Sequence, residues 1–530
     1  MAEAAAESSR LSREVGAVVA GRVFVSLLDS FKAFILLRII DKAGYGTMAF
    51  ALAWYGTAVG FGTLAIPDSL IALLPKATLG AQRSLVRQSL LLLAAIGSVL
   101  GLAIALMAML PGMLPPQQPG LASVLPWTAL AVAADLPSQC LQAFLLGIKR
   151  HRQASLRAIS LSGMANLALV VPALLGLSVS GILACYAMAC VIRLMVTLAT
   201  YRSCFADAPQ EPYPGGLRAQ LNVAVPLSLN GMVGLGNRQL STWVAGLLLM
   251  PAVFADFATG AQELPVVTML PNAVAVAMLP HLSALAVDPA GRRQAVLQWH
   301  ASMVRVALVM VPLWLVATVE AEGLMAMLGG EAYRSAALPF RVTALLLPLR
   351  LTGYGSMLLA LGLPRAVLRS QLWALAANVL ICAGTFVAHR HLGAGDQWVL
   401  AGASFSFVLA QAVAISVMLG DIGAAAGLSW WRAFPWSGVL RVTRLALVPA
   451  ALLAAWHLVG AELAGVAELL RDLGHLGVPQ IALDLGGLAL RLLFFVLLFV
   501  GLALRAGLLP PDDRATVLSW LKLEPLRRKT

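Results

Sequence analysis

Several charged and amide side chains in this sequence stand inside long apolar runs, where chemistry beyond packing would have to come from them. The first run holds Arg22, Asp29 and Lys32, the second Asp68 and the fourth Asp135. The seventh holds Asn230, Asn237, Arg238 and Gln239, the eighth Gln262, Glu263 and Asn272, and the tenth ends on Arg350. An ionisable group at the centre of a membrane helix costs on the order of 2.5–3.5 kcal/mol on insertion scales, so it faces a cavity or a partner. Arg22, Asp29 and Lys32 follow one another at intervals of seven and three residues, which puts all three on one side of a helix, with Asp29 one turn from Lys32. The alternative for Lys32 and Arg22 is a helix-end charge that snorkels to the interface. Arg238, in Gly236-Asn237-Arg238-Gln239, falls near the middle of its run. Its bland alternative is a static buried pair with Glu263 or Asp68. Glu263 is either such a partner or a group that takes up a proton in a coupled cycle. Asp135, two residues before Pro137, lines a pathway near its outer end or stabilises a kink. Arginine's planar fork matches phosphate oxygens, and the carboxamides of Asn230, Asn237 and Gln262 suit hydroxyl-bearing groups. The chemistry this set implies is binding of an anion.

Bond-making motifs are missing. No G-x-x-x-x-G-K-[ST] loop is present, so no ATP hydrolysis is expected, and no H-E-x-x-H occurs. Cys140, Cys185, Cys190, Cys204 and Cys382 form no C-x-x-C pair and read as small apolar fillers. His389 and His391 read as a solvated outer turn rather than a metal site. Catalytic residues, metals and cofactors are all expected to be absent.

The elements that position the polar set follow from composition. Of 530 residues, 60% are hydrophobic and only 12% charged, against about 25% charged in soluble domains. No soluble fold of this size could cover that surface with polar groups, whereas helices in lipid satisfy their own backbones. The expected fold is therefore all-α and polytopic. Apolar runs fall near 15–40, 47–74, 86–111, 121–146, 157–177, 181–204, 220–249, 253–280, 297–320, 336–361, 368–389, 398–420, 439–459 and 482–507, about 14 transmembrane helices at roughly 20 residues per crossing. The first is expected to be a retained helix rather than a cleaved signal, since Glu3, Glu7 and Glu14 precede it.

Loop charges set the orientation. With Arg10 and Arg13 cytoplasmic, every second loop is basic: Lys76, Arg83 and Arg87; Lys149, Arg150, Arg152 and Arg157; Arg193, Arg202 and Arg218; Arg292, Arg293 and Arg305; Arg365 and Arg369; Arg432, Arg441 and Arg444. The intervening loops are poor in base, and the segment with Glu320, Glu322 and Glu331 is acidic. By the positive-inside rule both termini are expected in the cytoplasm. The net charge of +13 is thereby explained by headgroups, and nucleic acid is not an expected partner. Residues 461–476 read as an interfacial outer segment, and 509–530, ending Arg527-Arg528-Lys529, as a basic tail on anionic lipid.

An internal repeat is visible. Val276-Ala-Met-Leu-Pro280-His281 after the eighth run echoes Ile71-Ala-Leu-Leu-Pro75-Lys76 after the second, with Pro271-Asn272 and Pro67-Asp68 just upstream. Leu361-Gly362-Leu-Pro-Arg365 after the tenth echoes Leu146-Gly147-Ile-Lys-Arg150 after the fourth. A parallel duplication of helices 1–6 and 7–12 would give this spacing and a cleft with alternating access between the halves. It makes helix 7 the repeat-mate of helix 1, so Arg22 and Arg238 could face each other. The expected parts are a cytoplasmic N-terminus (1–14), a six-helix bundle (15–205), a cytoplasmic linker (206–219), a second six-helix bundle (220–420), two further transmembrane helices (421–508) and the basic tail (509–530). The two pseudo-symmetric bundles would surround a central cavity.

The stretch Leu37-Arg38, Tyr45-Gly46, Gly62, Pro67-Asp68-Ser69-Leu70 and Leu74-Pro75-Lys76 resembles the opening of the polysaccharide-type (Wzx-like) flippases of the MOP superfamily. Phe254-Ala-Asp256 through Gly260-Ala-Gln-Glu263-Leu-Pro265 to Pro280 resembles their eighth helix. The resemblance implies a 14-helix inner-membrane flippase that moves undecaprenyl-diphosphate-linked sugars to the periplasmic leaflet for cell-surface polysaccharide or O-antigen synthesis. Arg22, Lys32, Asn230, Asn237, Arg238, Gln262 and Arg350 would line the cavity, with Asp29, Glu263 and Asp68 as coupling groups or charge partners. The implied partners are the lipid-linked oligosaccharide, membrane lipids, and polysaccharide polymerase and glycosyltransferases, with the chain itself a monomer. A polytopic polymerase or ligase on the same carrier is the competing enzyme reading, against which stand short outer loops. A multidrug antiporter or peptidoglycan-precursor flippase of the same superfamily is the other. A drug-cation antiporter should have an acidic cavity, whereas Arg22, Lys32, Arg238 and Arg350 outnumber Asp29 and Glu263.

Overall fold

In the computed structural model the described residues are Leu28, 31–110, 112–263, 265–462 and 480–508. All regular elements among them are helical. They fall into two compact units that interleave along the chain rather than dividing at the expected linker, 206–219. Among the described residues, the first takes those up to 261 with 328–332 and 371–410, and the second takes the rest.

The first unit opens with α1 (31–39) and α2 (Lys42–Gly62). Asp41 caps α2 by accepting the amide of Gly44 at 2.9 Å, satisfying one of the orphan donors of a helix start. α2 and α3 (Ile66–Leu73) meet at a 41° bend. Leu64 and Ala65 take left-handed φ values of +47° and +51° there, and Pro67 sits in the first turn of α3, where its missing N–H is harmless. The second apolar run is thus two helices that meet at a bend. α4 (Leu79–Met109) starts on a Thr78 cap. It packs closely on α5 (Leu121–Ser138) through Gly97 and Gly101, where an added Cβ would lie 3.1 Å from the Ala133 carbonyl oxygen and 2.8 Å from that of Ala129. Small residues four apart let membrane helices approach this way. The chain continues through α6 (Cys140–Gly147), α7 (His151–Leu174), α8 (Val179–Cys204), α9 (Gly216–Leu248) and α10 (Pro251–Gly260).

The second unit holds α11 (Pro265–Leu285), α12 (Pro289–Val319), α13 (Ala321–Gly329), α14 (Ala337–Ala344), α15 (Leu346–Leu349) and α16 (Tyr354–Ala360). It also holds the start of α17 (Pro364–Leu392), the end of α18 (Asp396–Ala425), α19 (Trp436–Glu462) and α20 (Gln480–Arg505). Its buried residues include Trp299, which donates to Thr352 at 3.0 Å, and Tyr354, which stacks edge-on against that indole.

Among the described residues, ten helices are long and apolar enough to cross a membrane, eleven if the bent α2–α3 pair counts as one span. The protein is a multi-pass membrane protein of all-α fold; the count of fourteen is not reached among these residues. α9, with 33 residues, is long enough but is absent from that set, as its Asn222, Asn230, Asn237, Arg238 and Gln239 make it the most amide-rich of the long helices. Most of the arginines assigned to loops lie in the first or last turns of helices, and two lie near the middle of theirs: Arg193 in α8 and Arg305 in α12. The interfacial segment expected at 461–476 and the tail at 509–530 lie outside the described residues, apart from Ala461 and Glu462.

Gly46 is the tightest helix contact in the first unit: a Cβ there would stand 1.8 Å from the carbonyl oxygen of Pro251, at the start of α10. Gly46→Ala is expected to destabilise the protein by about 1–3 kcal/mol, the range for overpacked sites. Gly384→Ala, whose Cβ meets nothing within 4 Å, should leave the thermal midpoint in detergent unchanged or higher. Equal midpoints for the two variants would contradict the close α2–α10 contact.

Candidate functional site

One buried polar centre of the first unit is built around Asp135. Asp135, Ser138 and Gln139 follow at i, i+3 and i+4, so a helical turn places their side chains together. Pro137 lies inside α5, and the helix ends at Ser138 before α6 resumes at Cys140. Asp135 is fully buried, and each carboxylate oxygen takes two donors. Oδ1 accepts from Arg193 Nη1 at 2.5 Å and Ser138 Oγ at 2.8 Å. Oδ2 accepts from Tyr55 Oη at 2.5 Å and Gln139 Nε2 at 2.6 Å. Stripping water from a carboxylate is tolerable only with such a full complement and a counter-charge. The surroundings are otherwise apolar: Ala131, Ala134, Ala187 and Cys190 are buried around Tyr55 and Tyr186.

The pair does not close off its arginine. Arg193 is 17% exposed at its side chain, and it borders a cavity of about 160 Å³. The polar lining is Ser138, Gln139, Gln142, Arg157, Ser162 and Arg193. Arg157, on α7, makes no side-chain hydrogen bond or ion pair among the described residues. Two guanidinium groups, two carboxamides and two hydroxyls against one neutralised carboxylate can take an anion flanked by hydroxyls.

The residues expected from sequence divide by environment. Arg22 and Asp29 lie outside the described residues. Lys32 is half-buried on α1, and Asn230 is placed by backbone alone on α9. Arg238 is exposed on α9 and forms no side-chain hydrogen bond or ion pair among the described residues. Its neighbour Asn237 is fully buried and accepts from Asn378 Nδ2 at 2.7 Å at its Oδ1, in a polar chain that continues through Cys382 and Ser406 to Ser241. Asn237 therefore holds helices together, contrary to its expected place on a cavity wall. Glu263 takes Arg350 as its partner at 2.6 Å, a pairing not foreseen; the alternative of a static Arg238–Glu263 pair does not form. Gln262 and Glu263 border a void of about 10 Å³, which is too small for a headgroup. Asp68 is exposed in the first turn of α3 and forms no ion pair among the described residues, so it partners none of them.

Sequence reasoning missed Arg193, Tyr55, Arg157 and Arg491. Arg193 carried the same signal as Arg238, a lone charge between apolar residues (Val191-Ile192 and Leu194-Met195), but was assigned to a loop. Arg491 lies within α20 and pairs with the buried Glu320 at 3.2 Å. Lys42, at the start of α2, pairs with the buried Asp256 at 2.7 Å and donates to the Ala332 carbonyl at 2.7 Å.

Residues 11–286, just over half of the chain, match the family model described as polysaccharide biosynthesis protein. The chain belongs to the polysaccharide biosynthesis protein family. Among curated proteins none matches it. The structure is similar to that of the lipid II flippase MurJ in its inward closed conformation, with a TM-score of 0.65 and 10% identity over 92% of this chain and 97% of that one. It is also similar to an inward-facing multidrug resistance MATE family transporter of the MOP superfamily, with a TM-score of 0.53 and 15% identity over 76% and 96% of the two chains. This member of the polysaccharide biosynthesis family thus has a MOP-type transporter fold.

Breaking the Asp135–Arg193 pair from either side leaves a buried charge unmatched. Asp135→Asn and Arg193→Gln are each expected to destabilise by about 3–5 kcal/mol. The double variant should lose less than the sum of the two, as a thermal-unfolding double-mutant cycle in detergent would read. Strictly additive losses would mean the two side chains do not interact.

Proposed function

We propose that the protein translocates a lipid-linked oligosaccharide, an undecaprenyl-diphosphate sugar, across the inner membrane by alternating access, for assembly of a cell-surface polysaccharide or O-antigen. The observation that carries this reading is membership of the polysaccharide biosynthesis family in a chain with a MOP-type transporter fold. The chemistry agrees. A diphosphate taken bare into hydrocarbon meets a prohibitive desolvation penalty, and arginine forks with hydration can replace its water shell. Arg238, exposed on a helix otherwise rich in amides, and the Arg157–Arg193 cavity with its Gln and Ser lining suit a phosphorylated sugar headgroup. The prenyl chain would stay in lipid.

In this reading the protein is a transporter rather than an enzyme. Both termini are cytoplasmic, the working unit is a monomer, and polysaccharide polymerase and glycosyltransferases are its functional neighbours. The likeness to a lipid II flippase favours one second cargo, the peptidoglycan precursor, which bears the same prenyl diphosphate. A cation antiporter fits less well, since the polar cavity of the first unit carries two arginines and its one carboxylate neighbour is already neutralised.

Proteoliposomes loaded with fluorescent undecaprenyl-diphosphate oligosaccharide and, separately, fluorescent lipid II test the proposal by quenching of the flipped fraction. Wild type should flip the oligosaccharide carrier faster, and Arg238→Ala and Arg157→Gln should each slow it by about tenfold or more, the loss expected for one charge-assisted phosphate contact. Preference for lipid II would select the second cargo. No flipping of either lipid, with efflux of organic cations instead, would overturn the proposal.

A further inference from the structure

The second unit contains a basic pocket that the transport reading does not use. It is an open pocket of about 470 Å³, lined by Arg292, Arg365, Arg369, Asp421, Ala424 and Ala425, among others. That volume lies within the roughly 300–1,000 Å³ typical of small-molecule sites. Three helix ends build it. Arg292 lies in the first turns of α12, after the Asp288 cap and Pro289. Arg365 and Arg369 lie at i and i+4 at the start of α17, so they share one side of that helix. Asp421 and the two alanines come from the last turns of α18. The alanines have no side chain beyond Cβ to fill the space.

Asp421 is engaged by one arginine only, Arg369, in an ion pair that ties α17 to α18. Three guanidinium groups against one carboxylate leave the lining with two uncompensated positive charges. Arg292 Nε is buried and bonded to nothing among the described residues. The N-terminus of α17 adds the positive end of a 29-residue helix dipole. Asp421 Oδ2 is likewise buried and unbonded among the described residues, and α18 brings its C-terminal end to the pocket, but the two arginine charges left over and the unbonded Arg292 donor outweigh them and ask for a compact multivalent oxyanion. α12, α17 and α18 are each apolar enough to cross a membrane. Their ends therefore lie at headgroup depth, and the loop-charge pattern puts these ends on the cytoplasmic side.

We propose that this pocket binds a phosphate group, either the phosphodiester of an anionic membrane lipid or a soluble phosphate, with Arg292 and Arg365 as the principal ligands. Arg369 is held back by Asp421 and sets the affinity. The inference does not depend on the transport reading, so each stands or fails without the other.

The full chain in phosphatidylcholine nanodiscs would be titrated with inorganic pyrophosphate by calorimetry. In parallel, native mass spectrometry would measure phosphatidylglycerol retained from mixed nanodiscs. The Arg292→Gln/Arg365→Gln double variant, which leaves the Arg369–Asp421 pair intact, should bind the preferred probe about tenfold more weakly or worse. Asp421→Asn, which frees Arg369, should bind it about threefold more tightly or better; a gain cannot come from misfolding. Pyrophosphate as the tighter probe identifies a soluble ligand, and phosphatidylglycerol a lipid headgroup. Undiminished binding of both probes by the double variant, or weaker binding by Asp421→Asn, would overturn the proposal.

Discussion

Hydrocarbon cannot solvate a charge, and nearly every polar feature of this protein is an answer to that constraint. The structure uses two answers. Asp135 with Arg193, Glu320 with Arg491, Glu263 with Arg350 and Asp256 with Lys42 are carboxylate–cation pairs inside or at the ends of apolar helices. Each links elements distant in sequence and leaves little net charge behind. Arg238 and Arg157 have no such partner among the described residues, and an arginine in that position is tolerated only where water or an anion reaches it. Pairs hold helices; arginines without a partner among the described residues need water or an anion within reach.

The Asp135 centre shows how closely the two roles adjoin. Its carboxylate is saturated by four donors, and one of them, Arg193, also borders the cavity that holds Arg157. The ion pair fixes the arginine's position without consuming all of its donors, since a guanidinium carries five N–H groups. A group held in place in this way loses less entropy on binding an anion. Tyr55 of α2 and Gln139, at the α5–α6 junction, complete the same centre. Any rearrangement of α2, α5 or α8 would therefore be felt at the cavity wall.

The all-α membrane architecture was legible because composition and run length suffice for it: 60% hydrophobic residues and 12% charged ones leave no soluble alternative. The bend after Gly62 was not legible: 47–74 read as one continuous run, and the left-handed Leu64–Ala65 pair that makes the bend has no local signal outside glycine. The site was legible only in part. Arg238 stood out as a charge in the middle of an apolar run, whereas Arg193, equally central to α8, was absorbed into a basic loop by the alternation of loop charges. Pairing was the harder problem. Whether Glu263 meets Arg238 or Arg350 depends on helix rotation and long-range packing, and neither is encoded in spacing along the chain. Asn237 shows the same limit: one residue from the exposed Arg238, it points into a buried network that needs Asn378 to be seen.

The central claim is that an arginine without an internal partner marks a water-filled path through the membrane. It is tested most directly by thiol accessibility in a chain whose five cysteines have been replaced. Single cysteines at Arg238 and at Leu102, a 60% exposed residue on the apolar face of α4, would be exposed to a charged, membrane-impermeant methanethiosulfonate. The account predicts that the position 238 thiol reacts at least about tenfold faster, because thiolate forms only in contact with water, and that added lipid-linked oligosaccharide protects it. Equal, slow reaction at both positions would place Arg238 against lipid and contradict the account.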